Sequence, residues 1–194
     1  TMDARERLTR AAVEALKRFG HAKASVKKIA ALAGVNHGLV HHYFGSKETL
    51  MAKALMGMVS DVTQRTRIRI SAEEGRVYLP PIFSDPDLLK VMLEFLALSR
   101  DMPEVKAALK EMVRSRHGIL KGMFGTDDPV APAIFLGGMF GLAMQYQVDE
   151  SLPVAEAAGR LLGLVLTDLD PVRFPPGGKW QVHQETPIEE SSDG

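Results

Sequence analysis

Between Ser25 and Leu50 the chain reads SVKKIAALAGVNHGLVHHYFGSKETL, and its capping and breaking residues leave the backbone little choice. Ser25 is a natural N-cap, and Ile29, Ala30 and Ala33 repeat at helical spacing. This predicts a short helix over Val26–Ala33 that Gly34-Val35 breaks. Asn36 can cap a second short helix running to about Tyr43, which Gly45 ends. Ser46 then opens a longer helix with Glu48 in its first turn, where the helix dipole favours an anion. Upstream, Leu8, Ala12, Ala15, Leu16 and Phe19 make Asp3–Phe19 an amphipathic helix that Gly20 stops. Two short helices about a tight glycine turn, braced by a longer one, form a helix-turn-helix. In that arrangement Val35, Val40 and Phe44 face Ile29 and Ala30, while Asn36, His37, Gly38, Leu39, His41 and His42 project outward.

The rest of the chain is punctuated in the same way. The helix opened by Ser46 is expected to reach about Ile70, before loop signals at Glu73-Glu74-Gly75 and Leu79-Pro80-Pro81. Further helices are expected over Asp87–Asp101, Glu104 to about Phe124, Pro129–Gln147 and Pro153–Leu169. No segment sustains the two-residue alternation of a half-buried strand, so the expected fold class is all-α: a helix-turn-helix over residues 1–45, then a helical domain over 46–170. Residues 171–194 are poor in apolar side chains and are expected to be a tail, ordered only where Phe174 or Trp180 docks.

Charge sorts the chain into parts. The net charge is zero, yet residues 1–53 carry ten Lys/Arg against four Asp/Glu, and four of the six histidines lie there too. A basic head joined to a neutral-to-acidic body suggests a polyanionic partner for the head alone. The absence of cysteine excludes disulfides, thiolate nucleophiles and cysteine metal sites. No run of eighteen apolar residues occurs and the N-terminus lacks the order of a secretory leader, so the cytoplasm is the expected compartment, with no membrane partner.

The segment Leu8–Met51 resembles the DNA-binding signature of tetracycline-repressor-type (TetR-like) transcriptional regulators. The resemblance is carried by Ser25 ahead of the first short helix, the Ile-Ala-x-x-Ala-Gly-Val run, Gly38, Tyr43-Phe44 and Ser-Lys-Glu-x-Leu from Ser46. It implies double-stranded DNA as partner, in the form of a pseudo-palindromic operator. Ser25, Lys27 and Lys47 would meet phosphates, and His37, Leu39 and His42 base edges. Asn36 would cap and bond, Gly38 would let the backbone approach, and Tyr43 would complete the surface. Where the family most often has tyrosine this chain has His41, whose ring N–H is the expected replacement for a phosphate contact. His37 and His41 also stand at a metal-ligand spacing, but no third ligand is near in sequence, so no metal or cofactor is expected.

One recognition helix makes few contacts, and two-fold pairing doubles them, so a homodimer is expected. The last two predicted helices are apolar on too many sides for one chain to cover. Gly137, Gly138, Gly141 and Gly163 would allow close approach, and Leu161, Leu162, Val165 and Leu169 would form the pairing stripe. Phe83, Met92, Phe95, Leu96, Met112, Met123, Phe124, Met139, Met144 and Tyr146, with His117, Arg114 and Arg116 as polar anchors, could line an adaptable pocket for a small apolar effector. They could equally be plain core. The implied function is a repressor whose operator binding an effector relieves. An enzyme is not expected, since no phosphate loop, nucleophile elbow or Ser/His/Asp order is present. The alternative is a helical protein-interaction module whose basic head meets an acidic partner.

Overall fold

The computed structural model describes residues 2–65, 69–71, 76–79, 86–171 and 181–184, with side chains placed over 2–61 and 87–171. Eight helices occur among these residues. They are α1 (Ala4–Phe19), α2 (Val26–Ala33), α3 (Gly38–Phe44), α4 (Lys47–Arg65), α5 (Pro86–Leu98), α6 (Pro103–Phe124), α7 (Val130–Val148) and α8 (Val154–Leu169). The fold class is all-α, and each helix starts or stops within a few residues of its sequence punctuation.

One expectation fails in the middle of the chain. α4 ends at Arg65 instead of running to Ile70, and Arg69–Ser71 forms a strand, β1, antiparallel to β2 (Arg76–Leu79) with Ile70 opposite Val77. A third strand, β3 (Gln181–Gln184), runs parallel to β2 with Val182 opposite Val77, so the expected tail contributes a sheet edge. Three- and four-residue strands are too short to display alternation. Their backbone groups are satisfied by partners distant in sequence, a pairing that local reading does not register. The loop markers at 73–75 and 80–81, together with Phe174 and Trp180, lie outside the described residues.

The chain divides into two compact units, one of residues 1–64 and 86–118 and another of 65–85 and 119–194. The core of the first is built by Leu8, Ala12, Leu16, Ile29, Val40, Phe44, Leu50, Met51, Leu55, Val91 and Phe95. Phe19, expected inside, is 36% exposed, and Lys28 places its ammonium 4.7 Å from the ring centroid. The core of the second joins Leu120, Phe124, Phe135, Met139, Leu162, Val165 and Leu166 from α6, α7 and α8. Here Gly138 is required within the chain: a Cβ on it would lie 2.3 Å from Leu161 Cδ2. α7 is capped by Asp128, whose carboxylate accepts the N–H groups of Val130 (2.9 Å) and Ala131 (3.2 Å).

Within the first unit, one side of α5 grips the end of α1. Lys17 Nζ is 3.5 Å from Asp87, Lys90 Nζ donates to the Lys17 carbonyl (2.6 Å), and Glu94 Oε2 accepts the His21 N–H (2.5 Å) and faces its Nδ1 (2.6 Å). Residues 87, 90 and 94 share a helix face at three- to four-residue spacing. Gly20, at φ +70°, leaves room for this approach, since a Cβ there would stand 3.3 Å from Glu94 Oε1. Burial opposes ionisation of Glu94, but the backbone and ring hydrogen bonds from His21, and the charges of His21 and Lys90, outweigh it and hold the carboxyl below its ordinary range. A depressed carboxyl stabilises the fold above the unfolded-state pKa, and that contribution is lost as pH falls through the folded-state value. Glu94→Gln is therefore expected to be less stable than the parent at neutral pH. The gap should close on acidification below the ordinary glutamate range, as followed by urea unfolding across pH.

Candidate nucleic-acid interface

Helices of seven and eight residues are too short to persist alone, so α2 and α3 depend on the apolar face that α1 offers them. Val40 and Phe44 are buried, as are Ile29, Ala30 and Ala33 on α2, while Val35 is half-buried. Each end is closed by the expected chemistry. Ser25 Oγ accepts the Lys28 N–H (3.3 Å), Gly34 takes the left-handed conformation (φ +63°) with its N–H on the Ala30 and Ala31 carbonyls, and Gly45 closes α3 at φ +74°. Asn36 Oδ1 accepts the Gly38 N–H (2.8 Å), and a Cβ on residue 38 would stand 3.2 Å from that oxygen. Glycine at 38 thus gives the Asn36 cap its room. Ser46 Oγ accepts the Thr49 N–H (3.0 Å) and opens α4.

This scaffold leaves Asn36, His37, Gly38, His41, His42 and Tyr43 exposed along one edge of α3, with Ser25 and Lys27 exposed at the start of α2. Leu39 departs from the reading as a base contact, being half-buried against the unit's core. His42 and Tyr43 meet edge to face, ring centroids 4.9 Å apart. His41 turns back: its Nδ1 lies 3.1 Å from the Gly45 carbonyl oxygen. An N–H there is the donor, leaving Nε2 to meet a phosphate, which it can do as a donor only in the protonated ring. Lys47 is half-buried at the N-terminus of α4, and desolvation holds its ammonium below the ordinary lysine range. No group of three His, Asp or Glu side chains able to hold a metal ion converges among the described residues.

Glu48 stands in the first turn of α4, as read from sequence, and also accepts the Glu104 N–H at the start of α6 (2.7 Å). Thr49 Oγ1 donates in turn to Glu104 Oε1 (3.1 Å). The beginning of α4, where Lys47 stands, is therefore tied to the beginning of α6. Nothing in the local sequence signals this tie, because its partner lies more than fifty residues away.

The residues expected to line an effector pocket are divided between the two units. Phe95 is fully buried in the first core and Leu96 is 59% exposed, with Met92, Met112 and His117 half-buried. Phe124 and Met139 are buried in the second core, Met123 and Tyr146 are half-buried, and Met144 is exposed. Phe83 lies outside the described side chains. Burial places Phe95 in the core of the first unit and Phe124 and Met139 in that of the second, and leaves the other described ones half-buried or exposed. The expected pairing stripe is corrected likewise: Leu162 and Val165 are 1% and 6% exposed in a single chain, so they face α7 and not a second copy, while Leu161 and Leu169 are half-buried. The apolar surface left open on these helices comprises Val130, Ile134, Phe140, Met144 and Val148 on α7 and Leu164 on α8, with Gly137 exposed and Gly141 and Gly163 half-buried.

A short, capped helix with a polar outer edge, flanked by the N-termini of two further helices, defines a helix-turn-helix module. Residues 8–54 match the family model described as bacterial regulatory proteins, tetR family. Over that segment the chain is similar to the TetR family. It is similar to the HTH-type transcriptional regulator BetI of Stenotrophomonas maltophilia, 32% identical over 111 residues, which are 52% of this chain and 57% of that protein. BetI of Pseudomonas aeruginosa is 31% identical over 113 residues, again 57% of its length, so the match spans little more than half of these curated relatives. Among solved structures, a transcriptional regulator from Rhodococcus sp. Rha1 superposes with a TM-score of 0.69 at 20% identity, over 86% of this chain and 97% of that one. The multidrug binding protein EbrR complexed with ethidium gives 0.65 at 19% identity, over 84% and 98%. At these identities the likeness establishes the fold.

The capping residue and the exposed residues of this edge should separate in a stability measurement. Asn36→Ala removes the acceptor for the Gly38 N–H and is expected to cost about 1 kcal/mol. His42→Ala, at an exposed position, is expected to stay within about 0.5 kcal/mol of the parent. Denaturant melts of the two variants check this.

Proposed function

We propose that this protein is a homodimeric transcriptional repressor that binds a pseudo-palindromic duplex operator through α3 and leaves it when a small apolar effector binds. One observation carries the reading: Asn36, His37, His41, His42 and Tyr43 line an exposed edge of a helix short enough to enter a major groove about 12 Å wide, with Ser25, Lys27 and Lys47 beside it. The helix N-termini and their lysines suit phosphate oxygens, and His37 and His42 suit base edges. The TetR-family match over this same segment supports it. The work of such a protein is binding, in keeping with relatives whose names describe transcriptional regulators.

The second copy is best received by the open apolar surface of α7 and α8. Val130, Ile134, Gly137, Gly141, Met144 and Val148 follow one another at three- and four-residue spacing on α7, and Leu164 lies 72% exposed on α8. A surface of this kind rarely stays in water on a monomer.

Effector control draws on two features. The half-buried Met92 and exposed Leu96 sit on α5, the helix whose Asp87, Lys90 and Glu94 grip the end of α1, so a ligand that shifts α5 bears directly on the head. The multidrug binding protein EbrR, similar in fold, has been solved with ethidium, with proflavin and with imidazole, which favours a flat aromatic effector. A ligand weakens operator binding only by its differential affinity for the two states.

Selecting bound sites from a random duplex pool tests the reading and should return a pseudo-palindrome. On that operator His42→Ala is expected to relax base preference, by about 1–3 kcal/mol at the position it reads. Lys47→Ala should weaken all sequences alike and flatten the salt dependence by about one phosphate per subunit. Fluorescence-anisotropy titrations at several salt concentrations provide both numbers. Selection of no common sequence sinks the proposal.

A further inference from the structure

We propose that Arg5 of α1 is a phosphate-contacting residue of the DNA interface, adding a contact from outside the helix-turn-helix at the flank of each half-site; the inference rests on the operator-binding reading above.

α1 carries five basic side chains, and three of them are paired with carboxylates. Arg10 pairs with Glu6 at 3.0 Å, Arg18 pairs with Glu14, and Lys17 is held by Asp87 at 3.5 Å. Arg7 brings a guanidinium nitrogen to 4.0 Å from the Cβ position of Gly34, at the C-terminal end of α2, where the helix dipole favours a cation. Arg5, unlike Arg10, Arg18 and Lys17, pairs with no carboxylate among the described residues.

Its guanidinium carbon instead lies 5.9 Å from the centroid of the Phe44 ring. Phe44 is the last residue of α3 and is buried, so the cation is held at the outer, C-terminal end of the recognition helix. Tyr43, 41% exposed, is next to it in sequence, and Lys47 follows within three residues of Phe44. Contact with the ring satisfies none of the guanidinium's five N–H donors, which remain available for the paired oxygens of a phosphate. Restraint by the ring also reduces the side-chain entropy lost on binding. The nearest carboxylates in sequence are committed elsewhere: Asp3 accepts the Glu6 N–H and Glu6 pairs with Arg10. A cation on the flank of a recognition helix, unneutralised and already ordered, fits a phosphodiester and no particular base.

The rival account is that Arg5 does no more than cover Phe44, and salt dependence separates the two. Operator affinity would be measured from about 50 to about 200 mM salt for the parent, Arg5→Gln, Arg5→Lys, Arg10→Ala and Arg18→Ala, with a thermal melt of each. Loss of one phosphate contact lowers the log–log salt slope by about 0.9, so a dimer losing two should lose about 1.8, which makes its affinity drop over that range roughly tenfold smaller. Arg5→Gln is expected to show this on operator and unrelated duplex alike, Arg5→Lys to keep most of the slope, and Arg10→Ala and Arg18→Ala to match the parent. An Arg5→Gln slope equal to the parent's, with only the melt lowered, overturns the Arg5 assignment while leaving operator binding intact. A parent that binds no duplex in a salt-dependent way overturns the operator reading itself.

Discussion

Everything presented on the outer edge of α3 depends on apolar burial beneath it. A seven-residue helix has too few internal hydrogen bonds to offset the entropy of its own nucleation, so Val40 and Phe44 must be buried against Leu8, Ala12, Ile29 and Ala30 before that edge exists as a surface. Each residue of such a helix is turned about 100° from the last, so side chains three and four apart share a face. Fixing Val40 and Phe44 inward therefore turns His42 to the opposite side and His41 and Tyr43 to the flanks, while Asn36 and His37 are exposed ahead of the helix. The edge is made of exposed residues carried on a frame of buried ones.

The frame is tied to the rest of its unit by polar contacts at two places. α5 grips the last turn of α1 and His21 through Asp87, Lys90 and Glu94, and the start of α4 is clasped to the start of α6 through Glu48, Thr49 and Glu104. These contacts are only partly shielded from water and are individually weak. The core beneath them, with Phe95 and Leu55 fully buried, is far costlier to rearrange. Displacement of α5 thus meets less resistance along the polar seam than within the packed interior.

Much of this was legible locally. Ser25, Gly34, Gly45 and Ser46 mark helix ends because capping and left-handed backbone are properties of a residue and its next few neighbours. The inward and outward faces of α1, α2 and α3 follow from periodicity, Leu39 and Phe19 excepted, where partial exposure depends on which neighbours close over a side chain. The three-stranded sheet was illegible because its strands are a few residues long and β3 lies a hundred residues from β2. Methionine and phenylalanine content alone could not separate Phe95 and Met139, which are core, from half-buried Met92 and Tyr146.

The order of amino acids by itself marked where the eight helices of the described residues begin and, α4 excepted, end, and it set the charge of the head, since caps and breakers act over about four residues and charge is a simple sum over a segment. Tertiary structure alone decided which apolar residues of α7 and α8 are spent on one another and which remain open, that Gly138 serves the contact with Leu161, that Glu48 caps a helix other than its own, and that Arg5 rests on Phe44. Those outcomes depend on segments meeting across dozens of residues, and the geometry of such a meeting is set by packing the whole chain at once.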